Sequence, residues 1–471
     1  MAAHEPLLLG IDVGTTDTKA VATTRTGRLL AIGTAATAWQ TRDDGGAQIA
    51  PEALVAGVMA ACADAVARAL GHLPSTPVVA GVGITSIAEA GVLLDPAGRP
   101  TSTPIIAWFD PRGAAQVRAL EPDFRDEFTA RTGLPVSPVA TFAKLLWLRA
   151  HTQVDLTGLR WLNVAEYVAY ACGAEPTMEP SLASRTGLID QDDLSAFPEA
   201  LERIGAQPDL LPPLVAAGTR IGTAHAEVPA WLVGASLTVA GHDHAVASLA
   251  AGATGPNDLF DSCGTAEAML RVTEARISRA ERSTLSRSNV SQGTHLLPGR
   301  RLLLGGTRGG LLLKRILAML GAADPEARAA LEAACPTGEV HLPVHVDGGR
   351  LDEQAVWVRI DGDDVAPPLV WRAALEAAAD QAQVLVDAFE GVVGPAARMV
   401  AAGGWLRSAS YRAVKQRRFP GVTFADIDQA GGLGAAAVAG FAAADDHASM
   451  AALPAAIDAF MAGYAEAAAS S

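Results

Sequence analysis

The first twenty residues carry the pattern that most restricts how this chain can fold. Residues 7–11, Leu-Leu-Leu-Gly-Ile, form an apolar run that reads as a buried strand. Asp12, Gly14, Thr15, Thr16 and Lys19 interrupt it before a second apolar stretch begins, and a Thr26-Gly27 turn leads into a further strand, Arg28-Leu29-Leu30-Ala31-Ile32. This is a hairpin with its polar residues gathered at the turn. Glycine there lets the backbone approach a phosphate oxygen closely. The threonine hydroxyls and the lysine supply donors, and an aspartate can hold the water shell of Mg²⁺. The turn suits a Mg-nucleotide; taken alone, it also suits a surface hairpin with a polar tip, and Lys19 a solvated strand residue.

The same pattern returns about half a chain later. Residues 258–270 read Asp-Leu-Phe-Asp-Ser-Cys-Gly-Thr-Ala-Glu-Ala-Met-Leu, again strand, polar turn, strand, with Gly264-Thr265 at the turn. Two such hairpins suggest two similar halves, each with a sheet and helices. Strand-like runs alternate with Ala-rich helical patterns elsewhere, which argues for an α/β protein. Strands are expected at residues 77–85, 90–95, 235–240 and 397–402. Helices are expected at 51–70, where Pro51 opens the first turn and Gly71 follows the end, and at 161–170, 198–204, 245–251, 408–418, 433–443 and 451–469. The Ala/Gly-rich stretch 431–444 reads as a closely packed helix. At 471 residues, half of them hydrophobic, the chain can build two domains with substantial cores.

Charge and cysteine content remove several classes of function. The balance is acidic, 36 Lys+Arg against 51 Asp+Glu, a net charge of −15, which disfavours nonspecific nucleic-acid binding. It leaves room for an anionic nucleotide held by local donors. Cys62, Cys172, Cys263 and Cys335 form no C-x-x-C pair, so a zinc site or disulfide framework is not expected. Buried thiols in a reducing cytoplasm are the default. No run of 18 apolar residues is present, so no spanning helix or membrane partner is expected, and residues 1–6 do not read as a secretory signal.

Further motifs follow in a fixed order. Trp108-Phe109-Asp110-Pro111-Arg112 is W-x-D-x-R, Gly241-His242-Asp243-His244 lies near mid-chain, and Gly403-Gly404 follows a late strand. With the two hairpins, their order and spacing resemble those of the FGGY carbohydrate kinases, the family of glycerol kinase, xylulokinase and fuculokinase. Residues 91–99, Thr132-Gly133-Leu134-Pro135, Lys144-Leu145-Leu146-Trp147-Leu148, Ala183-Ser184-Arg185-Thr186-Gly187-Leu188 and Gly432-Leu433-Gly434-Ala435-Ala436 match further family segments. The resemblance covers almost the whole chain.

It implies two ribonuclease-H/actin-like ATPase domains with a central cleft, divided here as residues 1–244 and 245–471. It also implies transfer of the γ-phosphoryl of ATP to a hydroxyl of a small carbohydrate, a ketose or polyol. By position, Asp12 would hold Mg²⁺ through water, with Asp243 beside the same metal. Gly14, Thr15, Thr16 and Lys19 would form the first phosphate loop, Gly264 and Thr265 the second, and Gly403 and Gly404 would lie against the adenosine. Asp243 would be the general base. Glu89, Trp108, Asp110 and Arg112 would lie on the sugar side, with Trp108 and Phe109 as an apolar wall. Phosphoryl transfer is mostly positioning and charge stabilisation, which accounts for these residue types. Dimers are common in the family, so the expected partners are a small-molecule carbohydrate and a second copy of the chain, in a cytoplasmic location.

Three readings compete with parts of this. His242-Asp243-His244 could be a metal cluster, although side chains alternate in an extended segment, which works against convergence. Arg112 could brace its loop through a salt bridge, Asp261 could be a structural turn carboxylate, and Trp405 could pack in the core instead of on a base. The whole chain could be a non-catalytic sugar or nucleotide sensor, or an actin/heat-shock-type ATPase on the same scaffold. Two departures from the family pattern bear on substrate choice: Ala88 precedes Glu89 where the glycerol-kinase branch has arginine, and residues 343–350, Pro-Val-His-Val-Asp-Gly-Gly-Arg, are a weakened form of a family motif, with Gly349 in place of its glutamate.

Overall fold

The computed structural model describes residues 6–72, 78–264, 266–350, 355–444 and 449–470. The chain forms two compact units that are not contiguous in sequence. One comprises the chain up to Gly252, Gly293–Arg300 and everything from Gln429 onward; the other comprises Ala253–Gln292 and Arg301–Asp428. A single division at residue 244 therefore cuts through helix Asp243–Ala250 and misses the return of the last segment to the first unit.

The first unit is built on β1 (Leu7–Val13), β2 (Asp17–Thr23), β3 (Leu29–Ala36), β4 (Val79–Ser86), β5 (Gly222–Thr223) and β6 (Ser236–His242), in the spatial order β5-β6-β4-β1-β2-β3. β1, β2 and β3 form an antiparallel meander, and β4 and β6 continue the sheet parallel to β1. Leu7, Leu8, Leu9, Ile11 and Val13 are all buried, as expected for a strand covered on both faces. On one face helix Pro51–Ala69 packs against β2 and β3 through Leu54, Val58, Ala61, Cys62 and Ala65. With the short turn to His72 this helix has the length and hydropathy of a membrane span, but it lays that apolar stripe on the sheet and carries Glu52, Asp64 and Arg68.

On the other face lies helix Ala430–Ala442, the Ala/Gly-rich segment read from sequence. Its backbone comes so near the sheet that a Cβ on Gly10 would overlap the Gly432 carbonyl, and one on Gly83 the Ala435 carbonyl. Small residues on both partners allow this contact.

Two expectations shift. Residues 161–170 were expected as one helix. Instead Arg160–Asn163 is a strand paired with Gly91–Leu94, and the helix is Val164–Ala171. Asn163 ends the strand and caps the helix in a reciprocal box with Glu166, whose Oε2 accepts the Asn163 N–H at 2.7 Å. The helix expected from 245 begins at Asp243 itself.

The second unit repeats the plan. β7 (Asp258–Cys263), β8 (Glu267–Thr273), β9 (Ser291–Thr294), β10 (Arg301–Thr307), β11 (Arg398–Ala402) and β12 (Thr423–Phe424) lie in the order β9-β10-β8-β7-β11-β12. β7, β8 and β10 form the antiparallel meander, and β11 and β12 run parallel to β7. The 27-residue helix Pro367–Val393 supplies much of its core, including Trp371, Leu375, Leu385 and Phe389. All four cysteines are buried and free. Residues 344–347 of the weakened motif pair with Trp357–Ile360 as a small separate hairpin; residues 351–354 lie outside the described residues.

Candidate active site

The carboxyl ends of β1, β4 and β6 lie side by side, where open parallel sheets offer their ligand sites. The register sets the neighbours: Asp12 pairs with Thr85, and Thr85 pairs with Gly241. Asp12 and Asp243 therefore emerge at the same carboxyl end of the sheet, with β4 between their strands. Burial pushes the Asp12 carboxyl up to about 7, the negative charge of Asp243 adds to the rise, and Lys19, its cross-strand partner, opposes it. The first turn of helix Ala430–Ala442 abuts the same group, since a Cβ on Gly431 would overlap the Asp12 carboxylate. Two acidic side chains whose charges repel at one end of the sheet form a donor set that a hard divalent cation would relieve.

The turn after β1 is braced through its carbonyls. Thr37 Oγ1 donates to Gly14 C=O at 2.9 Å, Trp39 Nε1 to Thr15 C=O at 2.7 Å, and the Thr37 N–H to Thr16 C=O at 2.9 Å. The Gly14 N–H is used within the turn, on Asp17 C=O. The N–H groups of Thr15 and Thr16 meet no acceptor among the described residues, which leaves two amide donors for an anion. Trp108 Nε1 donates to Thr15 Oγ1 at 2.9 Å, so the W-x-D-x-R loop touches the turn after β1 directly.

Asp243 opens its helix. Its Oδ1 accepts the His244 N–H at 2.7 Å and lies 3.2 Å from His242 Nε2. Its Oδ2 has no hydrogen bond among the described residues, and the side chain is 22 % exposed. Burial drives the His242 imidazole down to about 3, so it stands neutral beside the carboxylate, and its Nδ1 finds no partner among the described residues. Alternation does not separate the two histidines: because the helix starts at Asp243, their rings meet edge to face at 5.5 Å. His244 Nε2 is 4.0 Å from Asp243 Oδ1, and among the described residues His242, Asp243 and His244 do not converge as one set of metal ligands.

The expected sugar-side residues are buried in ion pairs. Asp110 accepts from the Ala47 N–H at 2.7 Å and from the Arg112 N–H, Nε and Nη2 at 2.7–3.0 Å, and its side chain has no exposed surface. Arg112 also reaches Gln48 and lies over the Trp147 ring. Together they lock the loop and hold the Asp110 carboxyl below the usual range. Glu89, buried and in the left-handed region at φ 58°, pairs with Arg185 at 2.6 Å. Trp108 is half-buried and Phe109 is 43 % exposed, the most accessible apolar group of this loop.

Sequence reasoning missed three supports. Lys144 is buried with its ammonium donating to the carbonyls of Trp108, Asp110 and Pro138; a lone lysine in the apolar segment 142–148 is the signal that could have found it. Trp39 and Thr37 lie in an unremarkable polar stretch that carries no such signal.

In the second unit, Gly264 caps the β7–β8 turn, and Thr265 lies outside the described residues. Asp261, Cys263 and Glu267 converge with the spacing of metal ligands, but the Lys415 ammonium already pairs with both carboxylates, 2.6 Å from Asp261 Oδ2 and 2.5 Å from Glu267 Oε1. Asp261 is thus a structural carboxylate. Gly403, at φ 127°, presses on β7, where a Cβ would lie 2.6 Å from the Cys263 carbonyl, whereas Gly404 faces open space. Trp405 packs in the core beside Trp371 and Tyr411.

A family model described as the FGGY family of carbohydrate kinases, N-terminal domain, matches residues 7–250. An L-fuculokinase of Escherichia coli K12 is 27 % identical over 312 residues, 64 % of each chain. A gluconokinase of Bacillus subtilis is 28 % identical over 210 residues, 44 % of this chain and 40 % of that one. The matched regions thus span less than two thirds of these relatives. Among solved structures, a xylulose-type kinase from Brucella ovis superposes with a TM-score of 0.81 at 20 % identity over 98 % of both chains. A Plasmodium falciparum glycerol kinase with ADP gives 0.83 at 16 % identity over 96 % of this chain and 92 % of that one. These two share the fold.

Proposed function

The chain belongs to the FGGY family of carbohydrate kinases, and from that premise we propose that it transfers the γ-phosphoryl of ATP to a hydroxyl of a small ketose or polyol, with Asp243 as general base. The observation that carries this reading is the asymmetry of the Asp243 carboxylate: Oδ1 is held by the His244 N–H, while Oδ2 has no hydrogen bond among the described residues, on a side chain that is 22 % exposed at the end of the sheet it shares with Asp12.

The sugar hydroxyl gives its proton to Asp243 Oδ2 as its oxygen bonds to the γ-phosphorus. The bond from that phosphorus to the β–γ bridging oxygen breaks, and ADP leaves with the charge. General base help of this kind is worth roughly 10²–10⁴-fold. Asp12, through water, and Asp243 would hold Mg²⁺, which when bound neutralises phosphate charge. The free amides of Thr15 and Thr16, with Gly14 and Lys19, are assigned to phosphate in the first unit. Gly264 and Thr265 are assigned to phosphate in the second, and the open face of Gly404, beside Gly403, to adenosine. Glu89 and the Trp108–Phe109 edge are assigned to the sugar. Asp110 and Arg112 act behind them as the brace of the loop, which revises their assignment to substrate. The four buried, free thiols support a cytoplasmic setting.

A coupled assay of ADP release against a panel of ketoses, polyols and aldonates tests the reading. Release stimulated by one class of sugar is expected. Sugar-independent turnover would instead indicate an ATPase, and no turnover with nucleotide bound a sensor. With the active sugar, Asp243→Asn should lower kcat by about 10²-fold or more while leaving ATP binding intact.

A further inference from the structure

A general base works only if its carboxylate is held where the proton will be, and the peptide that precedes Asp243 is held from two directions. Thr85 Oγ1, on β4, donates to the Gly241 carbonyl at 2.6 Å. The His242 N–H, at the other end of the same peptide unit, donates to Ser181 Oγ at 2.9 Å. The Ser181 hydroxyl has one proton, and it is committed to Glu179 Oε2, so a lone pair must face His242. Glu179 Oε2 also accepts the Ser181 and Leu182 N–H groups at 2.8 and 3.1 Å, and the Glu179 N–H is bound in turn by Glu166 Oε1 at 2.8 Å. Thr85, Glu166, Glu179, Ser181 and His242 are all buried.

The clamp sits where the strand is irregular. The β6–β4 register shifts between Val239 and Gly241, and Gly241 adopts φ 117°. A Cβ on Gly241 would lie 2.8 Å from Ser181 Oγ and 3.3 Å from Glu179 Oε2, so the residue type and the clamp require each other. Without the two hydroxyls, this peptide plane could rotate and carry Asp243 with it.

We infer that Ser181 and Thr85 are positioning residues for Asp243: they fix the Gly241–His242 peptide plane, and Glu179 fixes the Ser181 hydroxyl. The inference rests on Asp243 being the base. A displacement of about 1 Å can cost on the order of 10²-fold in rate, so the loss of either hydroxyl should be visible in kcat.

The test uses the full chain and the sugar that wild type turns over. Ser181→Ala and Thr85→Val should each lower kcat by about tenfold or more, with KM for ATP nearly unchanged, and Ser181→Thr and Thr85→Ser should restore most of it. The deciding measurement is the same pair of changes made in Asp243→Asn. If the hydroxyls act through the carboxylate, their effect should largely vanish there. An equal fall in both backgrounds, or no fall in wild type, overturns the inference. Full kcat in Asp243→Asn overturns the base reading itself, and the clamp with it, which is a different result from a dead Asp243→Asn beside a fully active Ser181→Ala. Circular dichroism reports folding, and if Ser181→Ala does not fold, Thr85→Val asks the same question from the other end of the peptide.

Discussion

At the scale of single residues, the same carboxylate can look like a ligand in a motif and act as a brace in the fold. Asp110 is the case here. Its two oxygens take four donors, and breaking such a buried pair from one side typically costs about 3–5 kcal/mol, because the remaining charge is left uncompensated. Asp110→Asn should therefore lower the urea midpoint markedly, with any rise in sugar KM following from a loosened loop; an unchanged midpoint would return Asp110 to the substrate. The paired glycines give a second contrast. Gly403→Ala places a Cβ against the Cys263 backbone at a left-handed φ and should destabilise the protein. Gly404→Ala meets nothing and should fold normally, raising KM for ATP if adenosine lies there; normal stability in both variants would contradict the contact. The motifs W-x-D-x-R and G-G were legible in the sequence. Which member braces and which stays open was not, because that depends on Ala47, Lys144 and Cys263, partners remote in the chain.

At the scale of elements, the hairpins were the most legible part of the chain, because apolar runs, a polar turn and a glycine are all local signals. The strand Arg160–Asn163 was not. A short apolar run that feeds a helix cannot be told from its first turn by periodicity, and only pairing with Gly91–Leu94 makes it a strand. The Ala/Gly helix shows the same division between local and remote information. Its composition announces a close contact, but the partners, Gly10 on β1 and Gly83 on β4, lie far away in sequence. Gly83→Ala tests the contact. The added methyl meets the Ala435 backbone carbonyl, which cannot swing aside as a side chain could, so the helix must move off the sheet. Overpacking of this kind costs roughly 1–3 kcal/mol, and more where backbone is displaced. Thermal unfolding should show the loss, and because this helix also abuts Asp12, kcat should fall with it. Wild-type stability would mean that the helix packs less closely than described.

At the scale of the molecule, the charge distribution sets how stability answers to pH. Burial pushes the Glu166 carboxyl up to about 8 and Glu179 up to about 7, against an ordinary 4.5. Both are raised in the folded state, so these two groups contribute stability that is lost as pH rises from about 4.5 through 8, whereas His242 and His295, buried and pushed down to about 3, act in the opposite sense up to about 6.5, where the unfolded imidazoles still take up protons. A tenfold difference in proton affinity between the folded and unfolded chain is worth about 1.4 kcal/mol per group. Asp110, held below its ordinary value, acts in the opposite sense and only at lower pH, where acid strips its pairing with Arg112. The melting temperature should therefore decline from about pH 6.5, where the histidine contribution ends, toward pH 8. The slope alone is not decisive, since a chain of net charge −15 also repels itself more as its remaining protons leave. Glu166→Gln separates the two causes. It removes one buried titration while leaving an oxygen to accept from Asn163, and it changes the overall charge by a single unit. The variant will start from a lower melting temperature if its second backbone acceptor is lost, but the decline between pH 6.5 and 8 should be distinctly shallower than in wild type. A parallel pair of curves would show that Glu166 is ionised throughout in the folded protein, with the Asn163 and Glu179 amides outweighing its burial.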